Sequence, residues 1–210
     1  MHLLLTDRLS CPRCGPRFGL ILLADRMEDR CVMDGLLGCP NCRDAFPVTN
    51  GFGDLRAPPR TGEHPEGRAG SHGVPDQAEA ERLRALVGVA EGPGTLLLAG
   101  SPARFAHWFA EAVPGVEVVG LDPDLVSWPE MPRVSRIMAR PGIPVFDRML
   151  RGVAMDGALG PRWIREAARV VAPLARVVVT DAPEDARATL LAAGLKVLAE
   201  EGGTVVAARG

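Results

Sequence analysis

The sequence predicts an α/β fold, a mostly parallel sheet covered by helices on both faces, with a small β module ahead of it. Three observations lead there. From residue 76 onward, short apolar runs alternate with segments of helical period, the pattern of parallel strands joined by crossover helices. The chain closes on two apolar runs joined by Gly202-Gly203, a turn that makes the last pair antiparallel. Before all this stand two Cys-x-x-C pairs, Cys11-Pro12-Arg13-Cys14 and Cys39-Pro40-Asn41-Cys42, with 24 residues between them.

Thiolates at this spacing form two tight knuckles that can close a tetrahedron around one zinc ion. Cys11, Cys14, Cys39 and Cys42 fill all four ligand positions and leave none for water, which makes the predicted zinc structural rather than catalytic. Cys31 is a fifth cysteine, read as a free strand residue. Metal-bound thiolates with one spare thiol fit a reducing cytoplasm better than a disulfide framework. Met1 to Arg8 is too short and too soon charged for a signal peptide. No stretch approaches the ~18 apolar residues of a membrane span.

Within residues 1–53, Gly19–Ala24 reads as a short apolar strand, Arg26–Arg30 as a polar turn, and Cys31–Gly38 as the return to the second knuckle. Phe46–Gly53 is extended around an Asn50-Gly51 turn. Residues 54–75 are rich in proline, glycine and charge and read as a linker. From 76 to 91, Leu83, Leu86, Val87 and Ala90 share one helical face, with Asp76 as the cap. Strands are expected at 96–99, 116–121, 134–138, from 153, and at 176–180, with helices at 103–113, 162–171 (stopped by Pro173) and 185–193. The chain has 210 residues, is 47% hydrophobic and carries a net charge of −2. That is room for one ordinary domain and a small one, with no electrostatic reason to expect nucleic acid.

The first 53 residues resemble the small zinc-ribbon proteins that bind and activate methyltransferases. The resemblance rests on a leading Leu-rich strand, Cys11-Pro12-Arg13-Cys14, Leu37-Gly38-Cys39-Pro40-Asn41-Cys42, and Phe46-Pro47-Val48 with Gly51. Residues 76–210 resemble class I S-adenosylmethionine-dependent methyltransferases, a Rossmann-like fold. Here the likeness rests on Ala103-Arg104-Phe105-Ala106, Val118-Val119-Gly120-Leu121-Asp122, Glu166–Pro173 and Ala193-Gly194-Leu195. The first likeness implies a protein partner, or docking of the ribbon within its own chain. The second implies an S-adenosylmethionine site.

The cofactor motif departs from that family. Its first strand ends in an acidic residue followed by alternating glycines, which let backbone approach the cofactor. Aligned on Arg104-Phe105-Ala106, Leu97 takes the acid's place, and Ala99, Ser101 and Ala103 take the three glycines', with Gly100 between them. Against this, Asp122, Asp156 and Asp181 fall near the C-terminal ends of strands, where open parallel sheets bind ligands. Asp122 matches the family's ribose-binding acid, and Asp156 lies where several members place catalytic groups. His107 reads as a packing residue on a helix.

Two functions therefore compete. One is a pseudo-methyltransferase acting as a protein-binding or structural accessory subunit. The other is an active methyltransferase with an atypical loop, in which Gly100, Ser101 and Asp122 would hold cofactor and Asp156 would be catalytic. A nucleic-acid-binding ribbon is disfavoured, because the knuckle region mixes charges and has no basic stripe.

Overall fold

The structure, a computed structural model, describes residues 1–60 and 76–210. Most of the segment expected as a linker, residues 61–75, lies outside the described residues.

The N-terminal part holds α1 (Leu3–Thr6), β1 (Ser10–Cys11), β2 (Gly15–Gly19), β3 (Ile21–Glu28), β4 (Cys31–Gly38), β5 (Ala45–Thr49) and β6 (Phe52–Arg56). The rest runs α2 (Gln77–Val87), β7 (Gly94–Ala99), α3 (Ala106–Ala112), β8 (Val116–Leu121), β9 (Val134–Arg140), β10 (Leu150–Asp156), α4 (Pro161–Val170), β11 (Val171–Thr180), α5 (Ala186–Ala192), β12 (Leu195–Glu201) and β13 (Thr204–Arg209). Three single 3₁₀ turns, Ser101–Phe105, Pro123–Ser127 and Gly157–Leu159, follow β7, β8 and β10.

Among the described residues, eleven strands form one sheet in the order β12-β13-β11-β10-β7-β8-β9-β6-β5-β4-β3. The block from β11 to β6 is parallel. At each end the sheet continues by antiparallel pairing, β11 to β13 to β12 on one side and β6 to β5 to β4 to β3 on the other, so that β13, β5 and β3 run against the block while β12 and β4 run with it. The second sheet is the short pair β1-β2.

The N-terminal module is thus docked on its own chain. Its last strand, β6, pairs in parallel with β9 from Phe52↔Arg136 to Arg56↔Arg140. Strand therefore extends three residues past the boundary expected at 53. Asp54 and Arg56 look like loop residues in sequence, yet both are buried in mid-sheet. They neutralise each other: the Arg56 guanidinium donates to both Asp54 carboxylate oxygens, at 2.9 and 2.7 Å. Burial opposes the Asp54 charge, but the Arg56 hydrogen bonds outweigh it and hold the carboxyl below its usual range. A depressed carboxyl stabilises the fold above the unfolded value near 4 and loses that contribution as pH falls through the folded value. Asp54→Asn should therefore cost about 1–3 kcal/mol at pH 7. In urea melts, that gap to the native protein should close as the pH drops below about 4.

Further bonds close the seam. The His2 amide donates to Ser135 Oγ at 2.9 Å, and the Ser10 amide donates to the Pro144 carbonyl at 2.9 Å. The Phe146 amide donates to the Arg8 carbonyl at 3.1 Å. Buried Arg136, on β9, donates to the carbonyls of Leu125, Trp128 and Asn50, so one guanidinium ties the β5–β6 turn to the loop after β8. Leu5, Leu9, Leu37 and Phe46 share one apolar core with Leu97, Val119, Ile137 and Val153. Phe46 and Val48 are buried there too.

Several local expectations need correcting. The leading leucines form a one-turn helix, α1, capped by His2 Nδ1 accepting from the Leu4 amide, not a strand. Helix α2 has the expected Asp76 cap but stops at Val87, where Gly88 takes a left-handed φ of 71° as its C-cap. The expected helix from 103 begins instead as the 3₁₀ turn Ser101–Phe105. Helix α4 ends at Val170, and Pro173 lies inside β11 rather than stopping the helix. His107 is exposed, 3.2 Å from Glu111, rather than packed. Among the described residues, no helix is long and apolar enough to cross a membrane.

Candidate functional site: a four-cysteine centre and the loop after β7

The four knuckle cysteines converge. Cys11 ends β1 and Cys14 sits in the turn into β2; Cys39 follows β4 and Cys42 precedes β5. Their sulfurs all lie within 4.8 Å of one another, with Cys11–Cys42 at 3.7 Å and Cys39–Cys14 at 3.9 Å. A zinc–sulfur bond of ~2.3 Å in a tetrahedron demands sulfur–sulfur edges of about 3.8 Å, so the donor set fits one such ion. Around it, the Cys14 amide points at Cys11 Sγ (3.4 Å) and Asn41 Nδ2 at Cys14 Sγ (3.2 Å), the outer donors that quiet thiolate charge. The Arg13–Asp44 pair at 3.0 Å links the two knuckles.

Without a cation, four clustered thiols cannot all ionise. Burial pushes Cys11 up and, with hydrogen bonds from neighbouring thiols, pushes Cys42 up too. Burial also opposes the Cys39 thiolate, but the amides of Cys42 and Asn41 and the adjacent thiols outweigh it and bring Cys39 to about 7. Metal capture must displace the remaining protons. Affinity should therefore fall as pH is lowered from 7 to 5, which a competing chromophoric chelator will report as faster and more complete release. Cys31, half-buried at the start of β4, is not part of the cluster.

In and just after β7, three of the four positions that depart from the cofactor motif are buried, and the fourth, Ser101, lines a cavity. Leu97 and Ala99 are fully buried in β7, opposite Val119 and Leu121 on one side and Val153 and Met155 on the other. Ala103 is 1% exposed and packs with Phe52, Leu125 and Met138. Gly100 has φ 68°, and a Cβ there would stand 2.8 Å from the Asp156 Cβ and 3.4 Å from Leu159 Cδ1. The loop after β7 therefore lies directly against the loop after β10. Ser101 is half-buried.

The three aspartates stand at the C-terminal ends of β8, β10 and β11, as expected along the chain. One Asp122 oxygen accepts from the Asp124 amide, and one Asp156 oxygen from the Ala158 amide, both at 2.8 Å. Each carboxylate thus caps the 3₁₀ turn that follows its strand. Asp181 lines a different feature, a cavity of about 230 Å³ between α2, Ser101–Phe105, the end of β11 and the β12–β13 turn. Glu79, Arg82, Arg104 and Thr204 also line it. Sequence reading missed this groove; the strand-end placement of Asp181 was its one visible sign.

No protein-family model matches the chain, and neither does any curated protein. Solved structures do. A precorrin-6y C5,15-methyltransferase from Geobacter metallireducens GS-15 superposes with a TM-score of 0.51 at 13% identity, over 65% of this chain and 90% of that one. A complex of the Haloferax volcanii Trm112 methyltransferase activator with a putative methyltransferase gives 0.48 at 14% identity, covering 65% and 99%. An S-adenosylmethionine-dependent methyltransferase from Mesorhizobium loti gives 0.48 at 15%, covering 63% and 98%. The first of these fixes the fold class: a mostly parallel, Rossmann-like methyltransferase fold, here carrying an N-terminal four-cysteine module.

Proposed function

We propose that this protein is a pseudo-methyltransferase: a zinc ribbon (1–53) joined to a methyltransferase-like domain (76–210) that has given up its cofactor and serves as a protein-binding or structural accessory subunit. One observation carries the reading. Leu97, Ala99, Ser101 and Ala103 stand where the family needs an acid and three glycines, and Leu97, Ala99 and Ala103 are buried in packed core. A Cβ where backbone should meet ligand, and a leucine where charge should be, each oppose binding. Zinc at Cys11, Cys14, Cys39 and Cys42 has a structural role, holding the module that joins the sheet through β6. Mass spectrometry of the denatured native protein tests the proposal: no co-purified S-adenosylmethionine or S-adenosylhomocysteine is expected, and stoichiometric nucleoside would overturn it.

The second reading, an active methyltransferase with Asp122 on the ribose and Asp156 as the catalytic group, is favoured by one specific fact. Asp122 and Asp156 both keep their places at the C-terminal ends of β8 and β10. Asp122→Ala and Asp156→Ala separate the readings. On the proposal, neither changes any nucleotide-dependent property of the protein, and each weakens its fold by about 1 kcal/mol through loss of a cap.

A further inference from the structure

The sheet ends at β3, and its outer edge is unpaired among the described residues. Ile21 is 56% exposed, Leu23 61% and Leu36 41%. Register puts them on one face: Leu23 opposes Leu36, Leu36 opposes Pro47, and Ile21 lies two residues from Leu23. The opposite face carries Leu22, partly buried against the core, and the fully buried Leu37.

The two halves of β3 differ. The second half is guarded as free edges usually are. Its pairing with β4 slips on both sides of Arg26, and Arg26 is tied to Asp34 at 2.8 Å and to Glu28 at 2.5 Å. The first half, Ile21–Ala24, has no bulge, no charge and no proline. An unguarded apolar edge at the end of a sheet is a template for one more strand.

We propose that a second copy of this chain pairs there, β3 against β3 in antiparallel, about a two-fold axis through Leu22. Antiparallel pairing about an axis normal to the sheet keeps each face continuous, so residues opposite each other share a face. Centred on Leu22, the register sets Leu22 against Leu22, Ile21 against Leu23, and Leu20 against Ala24. The apolar row Pro47-Leu36-Leu23 of one copy then runs on into Ile21 of the other. Charge agrees with this choice. Arg17 and Asp25 are exposed, have no ion partner among the described residues, and flank the run on opposite sides. The two-fold brings the Arg17 end of one copy towards the Asp25 end of the other, twice. The contact also extends a sheet that strand addition has already lengthened once, at β6–β9. The inference stands whether or not the protein binds S-adenosylmethionine.

Sedimentation equilibrium of the full-length, metal-loaded protein is the test. The native chain should dimerise in the micromolar range typical of modest interfaces. Leu23→Asp places a charge in the row and should weaken dimerisation by about a hundredfold, a change of ~2.7 kcal/mol. Its melting temperature as a monomer should hold, because the side chain is exposed. Asp25→Arg and Arg17→Asp should each weaken the dimer about threefold to tenfold, and the two together should restore it. A native protein that stays monomeric at about 100 μM overturns the proposal. So does a dimer indifferent to Leu23→Asp, or a charge swap that does not restore association.

Discussion

Cys39→Ser should cost the protein its metal and, with it, most of the order of the N-terminal module. Cys39 is buried, follows β4 directly, and holds its knuckle closed through the Arg43 amide donating to its carbonyl at 2.9 Å. A serine oxygen is a poor fourth ligand for an ion chosen by thiolates. A module of about fifty residues has too little core to order itself alone, so metal-binding free energy becomes folding free energy. Part of that is replaced here by docking on β9, so a loss of about 3–5 kcal/mol is expected rather than the full worth of a structural zinc. Elemental analysis should give one zinc in the native chain and none in the variant. Hydrogen exchange should rise first in β4 and β5. A variant that still carries a full zinc, or native protein purified gently without any, refutes the assignment.

Arg136→Ala is the second large effect, and it acts on the seam rather than the metal. The guanidinium is buried, and burial lowers its affinity for its proton without neutralising it. It is held by three carbonyls, those of Leu125, Trp128 and Asn50, the last at 2.6 Å. Truncation leaves those oxygens facing a cavity, at about 1 kcal/mol or more for each one that water cannot reach. A total near 3 kcal/mol corresponds to a fall of roughly 6–12 °C in melting temperature for a chain of this size. Arg136→Lys should recover only part of it, because an ammonium on a flexible stem cannot span the same three acceptors. Zinc content should stay at one in both variants, which separates this effect from that of Cys39→Ser. A shift below about 2 °C would mean that the seam is held elsewhere.

The sequence made the alternation of strands and helices legible because the buried strands of a parallel sheet read as apolar runs. Leu96–Ala99, Val118–Leu121 and Val177–Val179 all do. The closing hairpin was legible in Gly202-Gly203, and the metal centre in its spacing. The seam was not. Phe52-Gly53-Asp54-Leu55-Arg56 carries two charges and resembles the start of a linker, and only the Asp54–Arg56 pair makes it a central strand. Nor was the leading helix visible: three leucines in a row give no period, and its cap is a histidine side chain. The substitutions in the cofactor loop could be read from the alignment, but not their packing. That depends on Leu125, which folds onto β8 closely enough that a Cβ on Gly120 would stand 2.6 Å from its Cδ1.

On the proposed function, the chain keeps the methyltransferase fold and not its cofactor. Calorimetric titration of the zinc-loaded protein with S-adenosylmethionine tests it most directly. No heat of binding is expected, or a dissociation constant in the millimolar range, about −4 kcal/mol. A micromolar constant with one site per chain would contradict it and restore the enzyme.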